Sequence, residues 1–174
     1  MADGMSSTRG FPSGVNLERK EHDMRPDTFE DIVREAIRKE ADAATFYQMA
    51  SERAKPGMDK MFKELAEEEL GHKKMLEELD MTKLRSYEFS EMPDLEISEF
   101  LEDIPYSKDM DYPDILRYAI KSEEKSHNFY LRSAKMCENP DLKKLFQMLA
   151  QEEAKHKLKF EKMYEDDILE STKY

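Results

Sequence analysis

Two short stretches of this chain, Glu69-Leu70-Gly71-His72 and Glu153-Ala154-Lys155-His156, carry the pattern Glu-x-x-His 84 residues apart. A lone glutamate, Glu40 or Glu123, precedes each by about thirty residues. Side chains three positions apart share one face of an α-helix. Here that face is also the apolar one: Leu65, Ala66, Glu69, His72 and Leu76 lie along it in the first stretch, and Leu149, Ala150, Glu153, His156 and Phe160 in the second. Four carboxylates brought into an apolar interior repel one another and each loses its hydration, at a cost of about several kcal/mol apiece. Two divalent cations would balance the four charges. A Glu from each of two helices and a Glu-x-x-His from each of two others is the ligand set that holds two metals inside a four-helix bundle.

The rest of the chain is organised around these residues. Ala36 to Tyr47 aligns with Ala119 to Tyr130 at five of twelve positions, and Phe62 to Lys73 aligns with Phe146 to Lys157 at seven of twelve, so the chain is an internal duplication. Residues equidistant from the turn of an antiparallel helix hairpin stand at the same height, at about 1.5 Å per residue. Glu40 and His72 are each 16 residues from Pro56; Glu123 is 17 before Pro140 and His156 16 after it; Glu69 and Glu153 each follow their turn proline by 13. All six therefore fall within about one helical turn. One Glu-x-x-His alone would carry little weight in a chain so rich in Glu and Lys. Two on core faces, each with a level-matched glutamate, define a site. Its oxygen-rich donor set with one imidazole per metal suits iron or manganese better than zinc.

Apolar periodicity places four helices. Residues 1–26 lack it and read as an N-terminal arm, with Asp27 as the cap of the first helix, which runs to Pro56-Gly57. The second follows from Met58 to about Asp80. Residues 81–111, with Pro93 and Pro105, read as a crossover connection with a short turn of helix near Ser98 to Asp103. Pro113 opens the third helix, and Asn139-Pro140 separates it from the fourth. The expected fold is all-α: one bundle over 27–165, made of two duplicated antiparallel hairpins joined by one long crossover, with a tail at 166–174.

The formal charge of −12 argues against nucleic acid and anionic membrane surfaces as partners. No uncharged apolar run approaches a membrane span and the N-terminus lacks a signal-peptide core, so the expected location is cytoplasmic. Cys137 is the single cysteine, which excludes an internal disulfide and a thiolate metal site within the chain. The 13 Met residues serve as flexible core fillers.

In Glu40, Glu69-x-x-His72, Glu123 and Glu153-x-x-His156 on two duplicated hairpins, the sequence resembles the rubrerythrin-like branch of the ferritin-like superfamily over roughly residues 27 to 165. The resemblance implies a ferritin-like bundle with two iron ions, manganese being the other metal considered. Glu69 and Glu153 would bridge them, Glu40 with His72 completing one iron and Glu123 with His156 the other. Tyr47 and Tyr130, two turns from Glu40 and Glu123, are either hydrogen-bond donors to the carboxylates or plain core aromatics. Two departures stand out. The further glutamate that many rubrerythrins place one turn after the third-helix ligand is Ser126 here, with Ala43 as its repeat mate. His127 is then a substitute ligand, a group supporting a ligand, or a histidine on the helix flank. The four-cysteine rubredoxin module is also missing, so electrons would come from an external donor such as a rubredoxin or flavoprotein. The activity implied is reduction of hydrogen peroxide or dioxygen at a non-haem di-iron site. The alternatives are a ferroxidase or iron-handling protein, and a non-catalytic interaction module that metal stabilises. Hairpins this similar could also exchange between two chains, making a homodimer.

Overall fold

Chain reversals fall where the sequence places residues that cannot continue a helix. The computed structural model describes residues 29–80 and 86–172; the arm at 1–26, Asp27 and the first five residues of the crossover lie outside them. Helix α1 (Phe29–Arg53) ends ahead of Pro56, and Gly57 takes a φ of 93°, a conformation glycine adopts without strain. Helix α2 (Asp59–Glu78) follows and closes on Leu79 in the left-handed region, with the Asp80 N–H returning to the Met75 carbonyl at 3.0 Å. The Asp111 side chain caps α3 (Tyr112–Met136) by accepting the Asp114 N–H, and Pro113 sits in the first turn. Asn139 caps α4 (Pro140–Tyr164) in the same way, accepting the N–H groups of Asp141 and Leu142. The chain continues as a π turn at Glu165–Leu169 and a 3₁₀ turn at Glu170–Thr172, so the described part of the tail is helical.

The helices pair as two antiparallel hairpins, α1 with α2 and α3 with α4, and the hairpins run opposite to one another. One apolar core joins the start of α1 and end of α2 (Ile32, Ala36, Met75, Leu76) to the end of α3 and start of α4 (Tyr130, Ala134, Leu145, Phe146, Leu149). The other joins the first hairpin's turn (Tyr47, Ala50, Phe62, Leu65) to the start of α3 and end of α4 (Leu116, Ala119, Ile120, Phe160). Tyr47, Phe62 and Phe160 stack in this second core, with ring centroids 5.6 to 6.3 Å apart. Between the two cores lies a polar layer.

Because the hairpins are antiparallel, the crossover must travel the length of the bundle, and it does so along α3 and α4. Its short turn of helix is a 3₁₀ turn at Ile97–Phe100. Glu161 of α4, fully buried, accepts the N–H groups of Leu95 and Ser98 at 3.2 Å each. Lys157 pairs with Asp94 at 2.7 Å, and the Gln151 side chain accepts the Ser90 N–H at 3.0 Å. Among the described residues no helix is long and apolar enough to cross a membrane.

Candidate metal centre

The polar layer is built from the six residues singled out above. Glu40 enters from α1, Glu69 and His72 from α2, Glu123 from α3, and Glu153 and His156 from α4; none of the four carboxylates is more than 2% exposed. Their donor atoms form two overlapping groups in which every ligating atom lies within 4.8 Å of the others: Glu40, Glu69, His72 and Glu153 in one, and Glu69, Glu123, Glu153 and His156 in the other. Glu69 and Glu153 belong to both. His72 Nδ1 lies 3.1 Å from Glu69 Oε2 and 3.4 Å from Glu40 Oε2, and His156 Nδ1 lies 3.0 Å from Glu69 Oε1. The two imidazoles are 6.2 Å apart, centroid to centroid.

Tyr47 and Tyr130 both act on this layer, and they do so crosswise. The Tyr47 hydroxyl donates to Glu123 and the Tyr130 hydroxyl to Glu40. Each tyrosine serves the glutamate of the opposite hairpin rather than the one two turns away on its own helix, because α1 and α3 pack antiparallel. His127 stands apart from the layer. Its Nδ1 lies 2.6 Å from the Ala150 carbonyl oxygen, and its side chain lines a groove of about 600 Å³ between the crossover and the outer faces of α3 and α4, which none of the six cluster residues lines. Glu68, Glu152 and Tyr87 were missed in the sequence. His156 Nε2 lies 2.9 Å from Glu68 Oε2, and Glu152 accepts the Tyr87 hydroxyl at 2.5 Å. A signal existed for the two acids, since each motif reads Glu-Glu-x-x-His.

Without a cation the layer is electrostatically frustrated. Burial, together with the Glu69 charge, raises Glu40 to about 7 against the pull of His72. Burial raises Glu123 as well, and lifts Glu153 well above the usual carboxylate range with the charges of Glu69, Glu123 and Glu40 adding to it. Burial would raise Glu69 too, but the imidazoles of His156 and His72 hold it below that range. Burial opposes charge on the histidines, yet Glu40 and Glu69 raise His72 to about 9, and Glu68 and Glu69 raise His156 well above its ordinary value. Protons thus take the place of positive charge. Among the described residues five buried side-chain atoms still lack a hydrogen bond: Glu40 Oε2, Glu69 Oε1, Glu123 Oε2, Glu153 Oε1 and His156 Nδ1. The 3.0 Å approach of His156 Nδ1 to Glu69 Oε1 is an ion-pair distance without hydrogen-bond geometry. Orphaned buried polar atoms are rare in native proteins; all five belong to the six residues, and cations would satisfy them together.

Fold and layer together define a ferritin-like four-helix bundle with a buried glutamate and histidine cluster that could bind metal. The chain belongs to the rubrerythrin family, whose sequence model matches residues 31–102 and 114–172. Two solved structures are similar. One is a hypothetical protein from Pyrococcus furiosus, with 27% identity and a TM-score of 0.61 over 82% of this chain and 92% of that one. The other, from Thermotoga maritima, is described as a ferritin-like diiron-carboxylate protein, with 27% identity and a TM-score of 0.55 over 76% of this chain and 91% of that one. Among curated proteins none matches the chain.

Proposed function

We propose that this protein is a non-haem di-iron oxidoreductase that reduces hydrogen peroxide, or dioxygen, with electrons from an external donor such as a rubredoxin or flavoprotein. The observation that carries the reading is the pair of overlapping donor groups sharing Glu69 and Glu153, whose residues hold five buried polar atoms without a hydrogen bond. Glu40 and His72 would hold one metal ion and Glu123 and His156 the other, with Glu69 and Glu153 available to both. The description of the Thermotoga maritima relative as a diiron-carboxylate protein supports iron, and the donor set also admits manganese.

When bound, two ferrous ions supply the two electrons that, with two protons, convert hydrogen peroxide to two waters. The protein's contribution is orientation and exclusion. Tyr47 and Tyr130 fix Glu123 and Glu40 by hydrogen bonds from across the bundle, so that the carboxylates keep their geometry as charge changes beside them. The apolar cores above and below exclude water from the layer.

The test is anaerobic reconstitution with ferrous iron followed by titration with peroxide and, separately, with air. Two irons per chain, oxidised rapidly by peroxide, retained, and reduced again by an external donor are the expected result. Continued uptake and release of iron would mark a ferroxidase. Failure to bind iron, with Glu69→Ala and Glu153→Ala leaving stability unchanged, would remove the metal site altogether.

A further inference from the structure

The internal repeat relates His72 to His156, yet their outer nitrogens are treated differently. Glu68 of α2 reaches across to α4, where its Oε2 lies 2.9 Å from His156 Nε2, while the opposite ring nitrogen faces Glu69 at 3.0 Å. His156 is therefore held from both sides, between the cluster and a half-exposed carboxylate. Glu152, the repeat mate of Glu68, occupies the corresponding place on α4 but is engaged elsewhere. Its Oε1 accepts the Tyr87 hydroxyl at 2.5 Å and the Lys155 ammonium at 2.7 Å. Among the described residues no hydrogen bond reaches His72 Nε2, the contacts of that ring being at Nδ1. Tyr87 belongs to the crossover, which has no counterpart in the first half of the chain. Its ring meets Phe89 edge-on at 5.0 Å and lies 5.1 Å from the Lys155 ammonium.

We propose that the crossover makes the two metal positions unequal: Glu68 braces His156, whereas Tyr87 draws Glu152 away from His72, so the position built on Glu123 and His156 fills first and more tightly. The inference rests on the di-metal reading above. A carboxylate on the outer N–H of a ligating imidazole fixes its tautomer and ring orientation, and losing such a partner typically costs about 10–100-fold in metal affinity. Glu68, Glu152 and Tyr87 are positioning residues that act through the two imidazoles. A bundle that is symmetric in its ligands thereby becomes ordered in its loading, through the Glu68 contact with His156 and through a crossover that the duplication does not repeat.

The experiment is an anaerobic titration of the full-length apoprotein with cobalt(II), followed by calorimetry and by ¹⁵N-histidine NMR. Two equivalents should bind with constants about 10–100-fold apart, and at one equivalent the His156 signals should move before those of His72. Glu68→Ala should weaken the first step by a similar factor and spare the second; Glu68→Gln, which keeps an acceptor, should recover part of the loss. Tyr87→Phe leaves Glu152 tied only to Lys155 on its own helix and should tighten the second step alone. A purely structural role for these residues would weaken both steps together without changing which imidazole moves first. Equal constants with both histidines moving in parallel, equal weakening of both steps by Glu68→Ala, or no change with Tyr87→Phe would each overturn the proposal while leaving a two-metal site intact. Failure to bind two ions would overturn the di-metal reading as well.

Discussion

Gly71 stands in the middle of α2, between Glu69 and His72, with nothing within 4 Å of where a Cβ would lie. Neither close packing nor a positive φ calls for glycine there. Gly71→Ala should therefore stabilise the protein by about 0.5–1 kcal/mol with metal binding unchanged, as denaturant titration and metal stoichiometry would show. Glu153 presents the opposite case. It is buried against Glu69, Glu123 and Glu40, whose charges push it toward its neutral form. Replacing it with leucine removes the cost of burying a carboxyl that must hold a proton there, so Glu153→Leu should raise apoprotein stability by about 1–2 kcal/mol while abolishing paired metal binding. Loss of stability in the metal-free variant would show that Glu153 is a structural group rather than a strained ligand. These six positions were legible in the sequence because helical spacing and distance from a turn proline are properties of single hairpins. The partners of Tyr47 and Tyr130 were not, since they depend on how one hairpin packs against the other.

At the scale of elements, the crossover is held by groups that sequence periodicity assigns to a polar face. Glu161 and Lys157 look like solvent-facing charges on α4, yet they are 0% and 7% exposed because the crossover lies over them. Glu161→Ala would leave the N–H groups of Leu95 and Ser98 without their acceptor and Lys157 without one of its acidic neighbours. The expected cost is about 2–4 kcal/mol. Hydrogen exchange should quicken at residues 95–100 while helical circular dichroism is retained; unchanged exchange there would show that the crossover is held by other contacts. The helix boundaries themselves were readable, because Pro56, Pro113 and Asn139-Pro140 act locally. The path of the crossover was not, because it depends on the surface that the second hairpin offers.

For the whole molecule, the cluster gives the stability of the metal-free protein and the stabilisation that metal adds to it opposite dependences on pH. His72 is raised from 6.5 to about 9 and Glu40 from 4.5 to about 7, so the folded apoprotein holds protons that the unfolded chain releases. Their contribution is complete below the unfolded values and is lost as pH rises through the folded ones. Glu69, held low, contributes above its unfolded value of 4.5 and loses that contribution on acidification. Apoprotein stability should therefore fall as pH rises between 6.5 and 9. Metal binding requires the imidazoles to be neutral and releases those protons, so the stabilisation conferred by metal should grow over the same range. Denaturant midpoints with and without metal, and proton release measured in buffers of different ionisation enthalpy, would check both signs; parallel pH profiles would contradict the assignment. The crosswise tyrosines add a consequence for inheritance. Residues 29–80 alone contain a tyrosine whose acceptor lies in the other half and a buried glutamate whose donor lies there too. Neither half is a miniature of the whole, so an ancestor of half this length would have needed a second copy of itself to complete its centre. Fragments severed within the crossover should regain metal only when mixed, and a lesion at Tyr130 should find its compensating change near Glu40, ninety positions away.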